Sequence, residues 1–193
     1  MLYVAYAEAI SCLEKAVSLY TDMGRLGMAA RQLREIAETM EKDESHEEAL
    51  MFYEQAADLF YTDHSTAESN KCLLKVAQFS AEGGNYSKAM NIYESVAKAS
   101  VDNSLLRFSA KGHLLMACLC AMCCMTPSGV AETVEKYKEI DFNLEGSREL
   151  KLVEACVEAI EAGDAEAFTT AVAEYDSLTR LDAFKTELLV SIC

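Results

Sequence analysis

A chain of 193 residues, about half of them apolar and carrying a formal net charge of -15, is long enough to bury a substantial core as one or two domains. That charge excludes a general nucleic-acid binder, whose phosphate affinity comes from clustered lysine and arginine. One proline, eight glycines, no tryptophan and no period-2 pattern together predict an all-α protein.

Met1 to Tyr6 is apolar but short and lacks a basic leader, so it is expected to be neither a signal peptide nor a membrane span. From Glu8 the chain reads EAISCLEKAVSLY to Tyr20, and the pattern recurs 40 residues on as EALMFYEQAADLF (48–60) and again as KAMNIYESVAKAS (88–100). Ala9, Ala49 and Ala89 share a register; so do Leu13, Tyr53 and Tyr93, then Ala16, Ala56 and Val96. These are positions i, i+4 and i+7 of one helix face. A second helix follows each: Leu33, Ile36 and Ala37 match Leu73, Val76 and Ala77, then His113, Met116 and Ala117. A paired-helix repeat of this period predicts an α-solenoid. The expected architecture is a tetratricopeptide-like right-handed superhelix of antiparallel hairpins over 1–125, closed by a C-terminal helical bundle over 126–193.

Gly24 ends the first helix, and residues 25–42 make the second. Ser45, three residues before Glu48, has capping-box spacing, and Ser65 is a candidate cap for the fourth helix. Gly83-Gly84 closes the second pair, Asp102-Asn103-Ser104 introduces a helix from about Leu105 to Cys124, and Pro127 suits a first turn. Beyond it the strict period fades, with helices expected at 127–139, 147–162, 164–178 and 180–191, the third capped by Asp164.

Arg31, Lys71 and Lys111 are spaced by 40 and 40, so each second helix offers a cation at one register; Lys75, Arg107 and Arg25 extend the set. Such a basic stripe suits an elongated acidic partner, although lysines descended from one repeat unit also fall in register. Glu154, Glu158, Glu161 and Asp164 form an acidic run in the C-terminal part, which carries 6 basic against 15 acidic side chains. That run reads either as a solvated face or as a docking face for a basic partner. Cys118, Cys120, Cys123 and Cys124 hold four thiols in seven residues, but no second Cys/His pair accompanies them, so packed thiols are expected rather than zinc. His46, His64 and His113 are far apart and beside no nucleophile motif, and no glycine-rich phosphate loop is present. Neither an enzyme nor a cofactor is expected.

Several stretches carry a specific resemblance. AISCLEKAVSLYTDMGR (9–25), SNKCLLKVA (69–77), SLLRFSAK (104–111), Ser147-Arg148-Glu149 with Lys151-Leu152, and EYDSLTRLD (174–182) resemble, in order, the soluble NSF attachment proteins of the alpha type. The resemblance implies an adaptor that grips the four-helix SNARE bundle, of the syntaxin-containing kind, through a basic face, and recruits the hexameric ATPase NSF through an acidic C-terminal bundle, so that SNARE complexes are disassembled after membrane fusion in intracellular transport. Arg25, Arg31, Lys71, Lys75, Arg107 and Lys111 are the implied SNARE-binding residues; Glu154, Glu158, Glu161 and Asp164 are the NSF-facing ones. It also implies a cytoplasmic protein, peripheral on membranes. The family has further N-terminal repeats with a membrane-touching loop and a short acidic C-terminal tail, so weaker SNARE and membrane binding and poorer NSF stimulation are expected here. The rival readings are a generic tetratricopeptide-like peptide scaffold and, third, a redox or metal protein built on Cys118 to Cys124.

Overall fold

The computed structural model describes residues 2–192, with side chains from residue 10; the side chain of Ala9, the first member of the small-residue register, and Cys193 lie outside the described residues. Among the described residues there are ten α-helices, one short 3-10 turn and no strand. They fall into two compact units, Met1–Gly83 and Gly84–Cys193.

The first unit holds α1 (Leu2–Asp22), α2 (Leu26–Lys42), α3 (His46–Thr62) and α4 (Thr66–Glu82), each packed on the next. The repeat positions are its core: Ala49, Tyr53 and Ala56 of α3 are buried, as are Leu33, Ile36 and Ala37 of α2 and Val76 and Ala77 of α4. Small residues at one position let neighbouring backbones approach, and the large residues four along fill the space beside them.

Three loops turn on one backbone device. Gly24, Glu44 and His64 all have φ near +60° to +70°, the left-handed region that ends a helix in one residue. Glycine occupies it freely; Glu44 and His64 adopt it under the constraint of the closely packed hairpins. Ser45 and Ser65 then sit at the N-cap positions of α3 and α4, but neither hydroxyl makes the expected capping bond. Their ψ near 60° departs from the extended backbone that points a short side chain at the first-turn amides. Asn85 has the same backbone and does cap, its longer side chain accepting from the Lys88 amide at 3.2 Å.

The second unit holds α5 (Tyr86–Val101), α6 (Arg107–Cys124), α7 (Pro127–Ile140), the 3-10 turn Phe142–Leu144, α8 (Arg148–Ala162), α9 (Ala165–Leu178) and α10 (Ala183–Ile192). Helix α6 packs against α5, α7, α8 and α10. That central position accounts for its sequence: residues 114–122 are apolar on all sides and every one is buried. Its start differs from expectation, because residues 102–106 form a turn in which the Asn103 side chain accepts from the Leu105 amide at 3.0 Å, delaying the helix to Arg107. Pro127 is the first residue of α7, behind the Thr126 cap. Asp164 caps α9 as expected, its Oδ1 accepting from the amides of Glu166 and Ala167. Helix α10 begins at Ala183, three residues later than the sequence pattern suggests, because Asp176 and Asp182 take the Leu181 and Lys185 amides into a turn.

Candidate basic and acidic interaction faces

In the first unit, α2 and α4 are joined by two ion pairs with the same 34-residue separation. Arg34 pairs with Glu68, and Lys75 donates to Glu41 at 2.5 Å. Glu41 also accepts from the Tyr53 hydroxyl at 2.7 Å, so α2, α3 and α4 are tied at one carboxylate. Burial pushes the Glu41 carboxyl up, and the bonds from Lys75 and Tyr53 outweigh that and hold it below its ordinary value. The Glu68 carboxyl is likewise held low by Lys71 and Arg34.

These pairs divide the basic residues of this unit. Lys75 is half-buried, bonded to Glu41 and set over the Phe79 ring at 5.8 Å, so its charge is already engaged in the fold. Lys71 donates to Glu68 at 2.6 Å but is two-thirds exposed, a pairing that water and salt loosen at little cost. Arg31 is exposed and donates to the Met28 sulfur at 3.8 Å; Arg25 is exposed over the Tyr20 ring at 5.5 Å. Neither has an ion-pair partner among the described residues. Arg34, which the 40-residue register passes over, pairs with Glu68 of α4 and stacks on Phe60 at 5.5 Å. Its signal was the Arg34/Glu68 and Glu41/Lys75 spacing.

In the second unit, Arg107 and Lys111 lie one turn apart on α6 and have no ion-pair partner among the described residues. They line a cleft of about 560 Å³ together with Phe108, Asp141 and Asn143. Leu105 and Phe108 beside them are 87% and 89% exposed, an apolar margin that sequence reading missed because both fit a helix core pattern.

Of the acidic residues, Glu154, Glu158 and Glu161 share one exposed face of α8 at i, i+4 and i+7. Glu154 is bridged to Lys138 of α7 at 3.4 Å. Asp164 departs from this group: it begins α9, with Oδ1 committed to the cap.

The cysteine run divides as well. Cys118 and Cys120 are buried in α6, and burial pushes both thiols up to about 12; Cys123 is half-buried and Cys124 exposed. Among the described residues no three metal-ligating side chains converge, and no helix is long and apolar enough to cross a membrane.

A family model described as "Soluble NSF attachment protein, SNAP" matches residues 3–193. The chain belongs to the soluble NSF attachment protein family. An alpha-soluble NSF attachment protein of Vitis vinifera is 42% identical to it over 96% of this chain and 64% of the relative's length. That of Homo sapiens is 42% identical over 96% of this chain and 63% of its own length. A probable vesicular-fusion protein sec17 homolog of Schizosaccharomyces pombe is 35% identical over 96% and 65%. The chain thus spans a little under two thirds of the length of these curated relatives, and the alpha-type SNAP match runs through both helical units.

Proposed function

We propose that this SNAP-family chain is a non-catalytic adaptor that binds assembled SNARE complexes and recruits the ATPase NSF for their disassembly in vesicle fusion and intracellular transport, acting in the cytoplasm at membrane surfaces. The observation that carries the reading is a set of cations without ion-pair partners among the described residues, the exposed Arg25 and Arg31 on the first unit and the exposed Arg107 and partly buried Lys111 on the second, in a chain of net charge -15. An acidic protein gains nothing for solubility from such positions, and an acidic helical bundle supplies the carboxylates that they lack.

Lys71 joins this set by exchanging Glu68 for a carboxylate of the partner, whereas Lys75 acts from within the fold by holding Glu41 and the α2–α4 pairing. The acidic face of Glu158 and Glu161, with Glu154 at its edge, is the NSF-facing surface, and Asp164 shapes it by starting α9. Binding is electrostatic, so it reads charge and helical geometry rather than sequence.

Binding of the chain to assembled SNARE complex, followed across a salt series, tests this. The expected result is affinity that falls steadily with salt, with no comparable binding to unassembled SNARE peptides. Salt-independent binding to short peptides would instead favour a peptide-binding scaffold. Glu158→Lys with Glu161→Lys is expected to leave SNARE binding intact and reduce NSF capture on the complex.

A further inference from the structure

A second cleft of the second unit, open and of about 230 Å³, is lined by Ile160 of α8, Phe168 of α9 and Ile192 of α10, together with Gly163 and Asp164 from the turn between α8 and α9. Phe168 is 6% exposed, whereas Ile160 and Ile192 keep part of their surface in water. The volume lies below the roughly 300–1,000 Å³ of sites that take a small molecule, and it suits a single side chain. The frame around it has one sign. Residues 152–179 hold seven carboxylates and no lysine, arginine or histidine, and 186–193 hold Glu187 and no cation. Asp164 in the lining, and Glu161 and Glu166 beside lining residues in the chain, are exposed and have no ion-pair partner among the described residues.

We infer that this cleft takes one apolar side chain, of the leucine or phenylalanine kind, from a basic partner surface whose cations meet Glu161, Asp164 and Glu166. Exposed ion pairs alone contribute little each and dissolve in salt. An apolar anchor seated against Ile160, Phe168 and Ile192 adds a component that salt does not weaken, and the carboxylates around it set which partners can approach. An acidic surface with the same anchor is repelled by the frame. A neutral one leaves the carboxylates to water and gains from the anchor alone. The inference deepens the NSF-facing reading by naming what that surface recognises beyond charge, and it rests on that reading only for the partner's identity.

The test uses the full chain and two probes. One is a short peptide with a leucine between pairs of lysines; its twin carries serine in place of the leucine. The other is NSF, captured on assembled SNARE complex. The wild-type chain is expected to prefer the leucine peptide by about three- to tenfold, with the preference kept as salt rises. Ile160→Gln is expected to abolish that preference while leaving the serine twin's affinity unchanged, and Ile192→Gln, on a different helix, to do the same should Ile160→Gln lower the Tm. Glu161→Gln with Glu166→Gln is expected to weaken both peptides alike at low salt. Equal binding of the twins by wild type, or a preference that survives in both isoleucine variants, would overturn the inference. A wild-type chain that sediments as a dimer, with Ile160→Gln a monomer, would assign the cleft to a second copy and overturn it too. If Glu158→Lys with Glu161→Lys abolishes NSF capture while Ile160→Gln leaves it untouched and the twins bind alike, the inference falls and the adaptor reading stands. If NSF is not captured while the leucine preference depends on Ile160, the NSF-facing reading falls and the cleft's selectivity stands.

Discussion

Replacing Glu94 by glutamine is expected to destabilise the chain at neutral pH and to matter less in acid. Its side chain, only 11% exposed, accepts from Lys98 one turn on at 2.6 Å and from Lys136 of α7 at 2.9 and 3.0 Å, so one carboxylate fastens α7 to α5. Each charge-assisted bond is worth about 1.5–3 kcal/mol when shielded from water. Both lysines are about half exposed, at 49% and 55%, and regain hydration when released, which leaves a net loss of roughly 1–2 kcal/mol. For a chain of this length that is a fall in Tm of about 2–8 °C.

Burial pushes the Glu94 carboxyl up, and the two lysine bonds outweigh it and hold it below its ordinary value of 4.5. A carboxylate whose folded value is lowered contributes stability that is complete above the unfolded value and is lost as pH falls through the folded one. Thermal unfolding of wild type and Glu94→Gln, followed by circular dichroism, should therefore show a gap near neutral pH that narrows below pH 4.5. No gap at neutral pH, or one that acid leaves untouched, would refute the assignment of the cost to charge.

Leu119→Ala, at a fully buried position of α6, is expected to cost about 2–5 kcal/mol through the cavity it leaves, read as a drop in denaturation midpoint. Two glycines should respond in opposite directions. Gly163→Ala forces a side chain into φ +66° and is expected to lose about 1–2 kcal/mol. Gly112→Ala, inside α6 with nothing within 4 Å, should gain about 0.5–1 kcal/mol. Iodoacetamide mapping should modify Cys12 and Cys124 first and reach Cys72, Cys118, Cys120 and Cys156 only on unfolding.

The helices were legible because the 40-residue register sets burial directly: Ala49 and Ala89, Tyr53 and Tyr93, Ala56 and Val96 are all buried where the pattern put them. Asp164 was legible because a cap with extended backbone needs only the residue itself, and Pro127 because its fixed φ suits a first helical position. Ser45 and Ser65 were not, since whether a hydroxyl caps depends on a ψ angle set by the preceding left-handed residue. Among the charges, sequence located the cations but not their partners. Lys75 and Lys71 have carboxylates opposite them from residues 34 and three positions away, and only the packing of α4 on α2 brings Glu41 within reach. Asp141 is buried, and its Oδ2 has no hydrogen-bond partner among the described residues; that has no sequence signal, because packing alone defines it.

The most direct measurement of the adaptor reading is a pull-down on assembled SNARE complex with the wild-type chain and the triple variant Arg31→Glu, Lys71→Glu, Lys111→Glu, matched for helicity. Arg31 and Lys71 are exposed and Lys111 is partly buried, none of them in the core, so the variant should fold and lose binding. Equal retention of both proteins at low salt would contradict the claim that these cations grip the bundle.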